Sequence, residues 1–186
     1  MCIRDSLRDW IAGRHVLVHN ADSFVDDDLA LLVDGWTGEQ PRLLVRHEDH
    51  PSDFGEMKFL GVSLLPARIA ATLPDEPCGL YSLAWKPAYD AGLLELVEAR
   101  GTSIDCGTAA DYLRANLHVS GGANVVDPSA VVEGSITRCV VWPGARVEAG
   151  EVRVVAEVRW SGPFRRAMAL LADVPGAQAG ARAGLR

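Results

Sequence analysis

No stretch of about 18 consecutive apolar residues occurs in this chain, so no membrane-spanning helix is expected. It also lacks an excess of basic charge. Its 18 Lys and Arg stand against 25 Asp and Glu, a net charge of −7. Such a surface repels nucleic-acid backbones and anionic lipid, so neither a nucleic-acid nor a membrane partner is expected. Anionic substrates stay open, because a metal ion can mediate their binding. The four cysteines, Cys2, Cys78, Cys106 and Cys139, form no C-x-x-C pair. A zinc site or disulfide framework is therefore not expected. His15, His19, His47, His50 and His118 have no metal-ligand spacing, and Ser63 and Ser82 have no nucleophile-elbow context. The start has no apolar stretch of the roughly 7–15 residues that a signal peptide carries, so a reduced cytoplasmic setting is the expectation.

What is present is enough for a core. The chain has 186 residues, 48% of them hydrophobic, which suits one domain or a domain with a small appendage. Met1 to Ser6 carry no pattern that continues, and residues 1–6 are read as an artefactual leader whose natural start lay upstream.

Short apolar runs then alternate with helical segments. Val16-Leu17-Val18 reads as a buried strand of a largely parallel sheet. Val25-Asp26-Asp27-Asp28 reads as an acidic helix start, with Leu29, Leu31, Leu32 and Trp36 behind it. Arg42 to Arg46 is a strand, His47 to Gly55 a polar loop, and Met57 to Leu65 a strand containing Gly61. Pro66 suits the first turn of a helix running to Leu73. Leu80 to Ala91 reads as a helix that Pro87 kinks or splits. Leu94 to Glu98 alternates as a strand. Thr108, with Asp111 three residues on, caps a helix carrying Tyr112, Leu113 and Leu117. Alternating strands and helices argue for an α/β sandwich.

After Ser120-Gly121-Gly122, read as a hinge, the pattern changes. Val125-Val126, Val131-Val132, Ile136, Val140-Val141 and Val147 recur at spacings of five or six residues, with turn formers between. That spacing predicts a short left-handed parallel β-helix of about one and a half coils.

Two aspartates follow strand-like runs: Asp22 after Val16-Leu17-Val18, and Asp105 after Thr102-Ser103-Ile104. If both strands lie near the sheet's centre, both carboxylates face one cleft. Two carboxylates with waters and phosphate oxygens are a donor set that Mg²⁺ takes. Gly107 admits close backbone approach, and Thr108 opens a helix whose N-terminus favours phosphate oxygens.

These residues carry a resemblance. Asp105-Cys106-Gly107-Thr108, followed by Tyr112-Leu113-Arg114-Ala115-Asn116, resembles a signature of the sugar-1-phosphate nucleotidyltransferases. Val16 to Asp22 resembles that family's strand ending in a metal-binding aspartate. Phe59-Leu60-Gly61-Val62 resembles the strand carrying its sugar-site glycine. The segment after Gly122 is similar to the tail of the mannose-1-phosphate guanylyltransferase branch.

The resemblance, over about residues 7–150, implies a partial Rossmann-like, GT-A-like sandwich over residues 7–122 and a left-handed β-helix stub over 123–160; residues 161–186, mixing Ala, Gly and Arg, are read as a tail. It implies an NTP and a sugar 1-phosphate as substrates, with a nucleotide sugar and pyrophosphate as products. Asp22 and Asp105 would be the catalytic residues and the ligands of Mg²⁺, and Asn20, Gly61, Gly107 and Thr108 would bind substrate. The family's Gly-rich loop followed by a basic residue, and its Glu-Lys-Pro motif, are not found in this sequence. The chain is therefore expected to be an inactive fragment. A non-catalytic regulatory or assembly subunit, with the stub forming homo-oligomer contacts, is the alternative. A hexapeptide-repeat acyltransferase ranks below both, because no histidine follows His118.

Overall fold

A computed structural model describes residues 10–11, 13–74 and 79–158. The expected leader and the expected tail lie outside the described residues. The chain divides into two units, Met1–Asp105 and Cys106–Arg186. Among the described residues no helix is long and apolar enough to cross a membrane.

In the first unit, strand β1 is Val16–His19, β2 Ser23–Val25, β3 Arg42–Ser52, β4 Gly55–Leu65, β5 Glu95–Glu98 and β6 Ser103–Asp105. Four of them form a sheet ordered β1, β4, β3, β5. β4 runs antiparallel to both β1 and β3, and only β5 runs parallel to β3. This corrects the expectation of a largely parallel sheet. Only two residues, Asp53 and Phe54, separate β3 from β4, so the pair is a hairpin, and a hairpin is antiparallel. The same pairing corrects the polar loop expected from His47 to Gly55. β3 continues to Ser52, with His47 opposite Met57. β1 is an edge strand in which only Val18 is buried.

Alternation along the central strands supplies both faces of the core. Val18, Leu43, Val45 and Leu65 pack on one side with Leu80, Ala84 and Trp85. Leu44, Leu60, Val62 and Leu64 pack on the other with Leu32 of helix α1 (Ala30–Val33). That helix is shorter than expected, and it begins later because Val25 belongs to β2. Arg42 ties the layers together. Its guanidinium lies 2.6 Å from Glu95 of β5 and donates to the carbonyls of Leu32 and Asp34 at the end of α1.

After Pro66 only Ala67–Ala70 (α2) is helical. The segment from Tyr81 starts as one π-helical stretch to Trp85 and continues as α3, Lys86–Asp90. Pro87 has no N–H to give to an α-helical ladder, and the wider turn before it absorbs that loss. Trp85 is buried against Phe59, with ring centroids 4.5 Å apart.

The second unit opens with α4, Ala109–Val119. Thr108 caps it, accepting from the Asp111 N–H at 3.1 Å. Gly121 and Gly122 end it as a helix cap where a hinge was expected. The Gly122 N–H reaches the Leu117 carbonyl and the Gly121 N–H the His118 carbonyl, both glycines having positive φ.

Seven short strands follow: β7 (Val125–Val126), β8 (Val131–Val132), β9 (Ser135–Thr137), β10 (Val140–Val141), β11 (Arg146–Val147), β12 (Val152–Val154) and β13 (Glu157–Val158). They stack in three parallel sets: β7 with β10 and β13, β8 with β11, and β9 with β12. The chain therefore coils, and each round returns beside the one before. Val132, Ile136, Cys139, Val141, Ala145, Val147 and Ala156 form one apolar cluster. On another side Tyr112, Leu113 and Leu117 of α4 pack against Val125, Val140 and Trp142.

Candidate functional site

The geometry around Asp22 begins at Gly61. The Asn20 N–H donates to the Gly61 carbonyl at 2.8 Å, extending the β1–β4 ladder by one residue beyond His19. The Ser23 N–H then reaches back to the Asn20 carbonyl at 3.3 Å, closing a tight turn in which Asp22 is exposed. Gly61 makes room for this turn. Its φ is +90°, and a Cβ there would lie 2.2 Å from Ser23 Oγ and 3.2 Å from Asn20 Cβ.

The turn delivers the chain into β2, which pairs with β6 in a separate antiparallel ribbon. Ser23 faces Asp105, Phe24 faces Ile104 and Val25 faces Ser103. Asp22 thus immediately precedes the residue opposite Asp105, and both aspartates are exposed. This corrects the expected layout in one respect. The strand before Asp22 is at the edge of the sheet, and the one ending in Asp105 is outside it. Both aspartates lie at one end of a two-stranded ribbon, not after two central strands.

Anchors beyond its own ladder fix the ribbon, among them these three. Asn20 to Gly61 is the first. The second is Arg46 of β3, whose guanidinium donates to Ser103 Oγ at 2.7 Å. The third is Asp27. Its Oδ1 accepts from the backbone N–H groups of Arg100 and Gly101, each at 2.8 Å. Sequence reasoning missed Ser23, Arg46, Asp27 and Gly101. The usable signals were the β-prone pair Phe24-Val25 and the turn-forming Gly101 just before β6.

Among the solved structures, one similar in fold is a Bacillus anthracis protein assigned as a glucose-1-phosphate thymidylyltransferase in complex with a sucrose. It matches with a TM-score of 0.50 and 17% identity over 61% of this chain and 57% of that one. The fold is that of a sugar-1-phosphate nucleotidyltransferase. A UTP-bound UGPase from Acinetobacter baumannii matches with a TM-score of 0.49 and 18% identity, over 61% of this chain and 53% of that one. A Thermus thermophilus protein described as a mannose-1-phosphate geranyltransferase matches with a TM-score of 0.49 and 14% identity, over 84% of this chain and 65% of that one. The chain spans less than two thirds of the length of each. No family model and no curated protein matches the sequence.

Within this nucleotidyltransferase fold, Asn20, Asp22, Gly61 and Asp105 belong to the first unit, and Gly107 and Thr108 to the second. Both of the latter are exposed, and the Thr108 hydroxyl is engaged with Asp111. Among the described residues no three His, Cys, Asp or Glu side chains gather as a metal cluster. Glu56 and Lys58, near Gly61, are exposed, and Glu56 lies 3.2 Å from His47.

Proposed function

We propose that this chain is the metal-holding part of a sugar-1-phosphate nucleotidyltransferase. The observation that carries the reading is the β2–β6 register, which sets Ser23 opposite Asp105 and leaves Asp22 one residue away. Two carboxylates offer hard oxygen ligands. Mg²⁺ commonly takes one or two of these and fills its remaining positions with water and substrate phosphate. Asp22 and Asp105 therefore fit Mg²⁺ as protein ligands, and the ion when bound would neutralise charge on phosphate oxygens. Asn20, Gly61, Gly107 and Thr108 are the proposed substrate-binding residues.

In this class of reaction a sugar phosphate oxygen displaces pyrophosphate from the α-phosphorus of an NTP. Positioning and charge neutralisation do most of the work, so no acid–base dyad is needed. The chain's share is a fixed pair of carboxylates. The sequence holds no Gly-rich loop followed by a basic residue to wrap a triphosphate. We therefore infer that the chain alone turns over no substrate, and that its coils form a left-handed β-helix stub.

The test is Mn²⁺ binding followed by electron paramagnetic resonance. The chain should bind Mn²⁺, and Asp22→Asn and Asp105→Asn should each weaken it about tenfold or more. Equal binding by the chain and both variants would overturn the metal assignment. Pyrophosphate release from an NTP and a sugar 1-phosphate by the chain alone would overturn its inactivity.

A second reading, a non-catalytic assembly subunit, draws on the coils. Val152 on β12 is 70% exposed, with Val154 beside it. A monomeric chain in light scattering at micromolar concentration would count against it.

A further inference from the structure

We infer that Asp27 is a positioning residue, which sets the register of the β2–β6 ribbon and so the placement of Asp22 and Asp105. The inference rests on the metal-holding reading of those two carboxylates, but its structural half stands apart from it.

The ladder runs past its named strands. Ser23 pairs with Asp105 and Val25 with Ser103, and the Asp26 N–H reaches the Thr102 carbonyl at 2.9 Å. The next position in the same register sets Asp27 opposite Gly101. There the Asp27 carboxylate oxygen takes two N–H groups at once, those of Arg100 and Gly101. One Asp27 oxygen bridging the two adjacent N–H groups ties this end of the ribbon to the observed register.

Gly101 makes the approach close. A Cβ there would stand 2.6 Å from the Asp26 carbonyl oxygen and 3.2 Å from Asp27 Oδ2. Oδ2 is itself buried and has no hydrogen-bond partner among the described residues. Among the described residues the carboxylate's hydrogen-bond contacts are thus all through Oδ1.

Three-residue strands need such a clamp. Their pairing is short, and a slip of two residues would set Ser23 opposite Ser103 or Gly107 in place of Asp105. With Gly107 opposite Ser23, Asp105 would face Val25, three residues from Asp22; with Ser103 opposite Ser23, it would face Ala21, on the other side of Asp22.

The experiment pairs native-state amide hydrogen exchange by NMR with Mn²⁺ binding, on the full chain. In Asp27→Ala, the amides of Asp26, Arg100 and Gly101 should exchange about tenfold or more faster, with Leu43 and Val62 unchanged. Mn²⁺ affinity should fall by about the same factor. Asp27→Asn keeps the accepting oxygen, and should hold both ribbon exchange and Mn²⁺ affinity within about threefold of the parent. Unchanged ribbon exchange in Asp27→Ala would overturn the clamp, as would an Asp27→Asn variant as damaged as the alanine. Should Asp27→Ala lose core protection as well, Asp27→Glu, one methylene too long, should speed the ribbon amides alone. No Mn²⁺ binding by the parent chain would remove the metal reading while exchange still decides the clamp.

Discussion

Short strands are held in place by opposite means in the two units. In the first, β2 and β6 have three residues each, and their alignment depends on side chains reaching in from elsewhere: Arg46 to Ser103, and Asp27 to Arg100 and Gly101. In the second, most strands have only two residues, and repetition aligns them. Val140 pairs with Val125 before it and Glu157 after it. Side chains help there too, but as local clips. Asn124 accepts from the Cys139 N–H at 2.9 Å and donates to the Ile136 carbonyl at 3.2 Å. A ribbon fixed by unique contacts can hold two particular groups together. A stack fixed by repeated ones tolerates change in its exposed residues.

That contrast predicts unequal responses. The largest effect should come from Gly61→Ala. It forces a side chain onto Ser23 at a positive φ, and should cost roughly 2–4 kcal/mol, read as a lowered urea midpoint. Asn124→Ala should cost about 1–3 kcal/mol, because the Cys139 N–H and the Ile136 carbonyl both lose their clip. If Asn124→Ala proves costlier than Gly61→Ala, side-chain anchoring matters more in the coils than the comparison holds. Arg138→Gly should act the other way. Arg138 sits at φ +53° at a coil corner, so glycine there should stabilise by about 1 kcal/mol, seen as a raised melting temperature.

The smallest effect concerns acid. The Glu148 N–H, donating to the Glu151 carboxylate, does most to hold it below the usual range; burial opposes this, and Arg153 adds to it. A group with a depressed folded value stabilises above its unfolded value, and that stability is lost as pH falls through the folded one. Glu151→Gln should therefore be slightly less stable than the parent at neutral pH and flatten the acid limb of the stability profile, the two converging as pH falls below the ordinary glutamate range. An unaltered acid limb would sink the assignment.

What could be read from the sequence follows the same division. Helix α4 was legible because its signals are local: Thr108 and Asp111 form the cap, and Leu113 and Leu117 share a face. The coil strands were legible because Val125, Val131, Val140 and Val147 mark a spacing that needs no partner to be seen. The ribbon was not. Phe24-Val25 and Ser103-Ile104 are too short to show a period, and their pairing joins segments far apart in sequence. Asp26, Asp27 and Asp28 looked like a helix start; Asp28 serves α1, accepting from the Ala30 N–H, whereas Asp27 accepts from the Arg100 and Gly101 N–H groups. The end of β3 looked like a loop because most of its residues there are exposed, and β-pairing by itself leaves no apolar mark. Asp22 and Asp105 were singled out together from their motifs, but the β2–β6 ribbon was not.

The coil stack also has a property that the ribbon lacks. Among the described residues each round pairs its strands with the round before or after it, so strand pairing does not dictate how many rounds there are. Copying one whole round, Val125 to Cys139, in tandem would give every new strand a ready partner. Length in this part of the molecule is modular, a quantity that duplication can lengthen in whole steps.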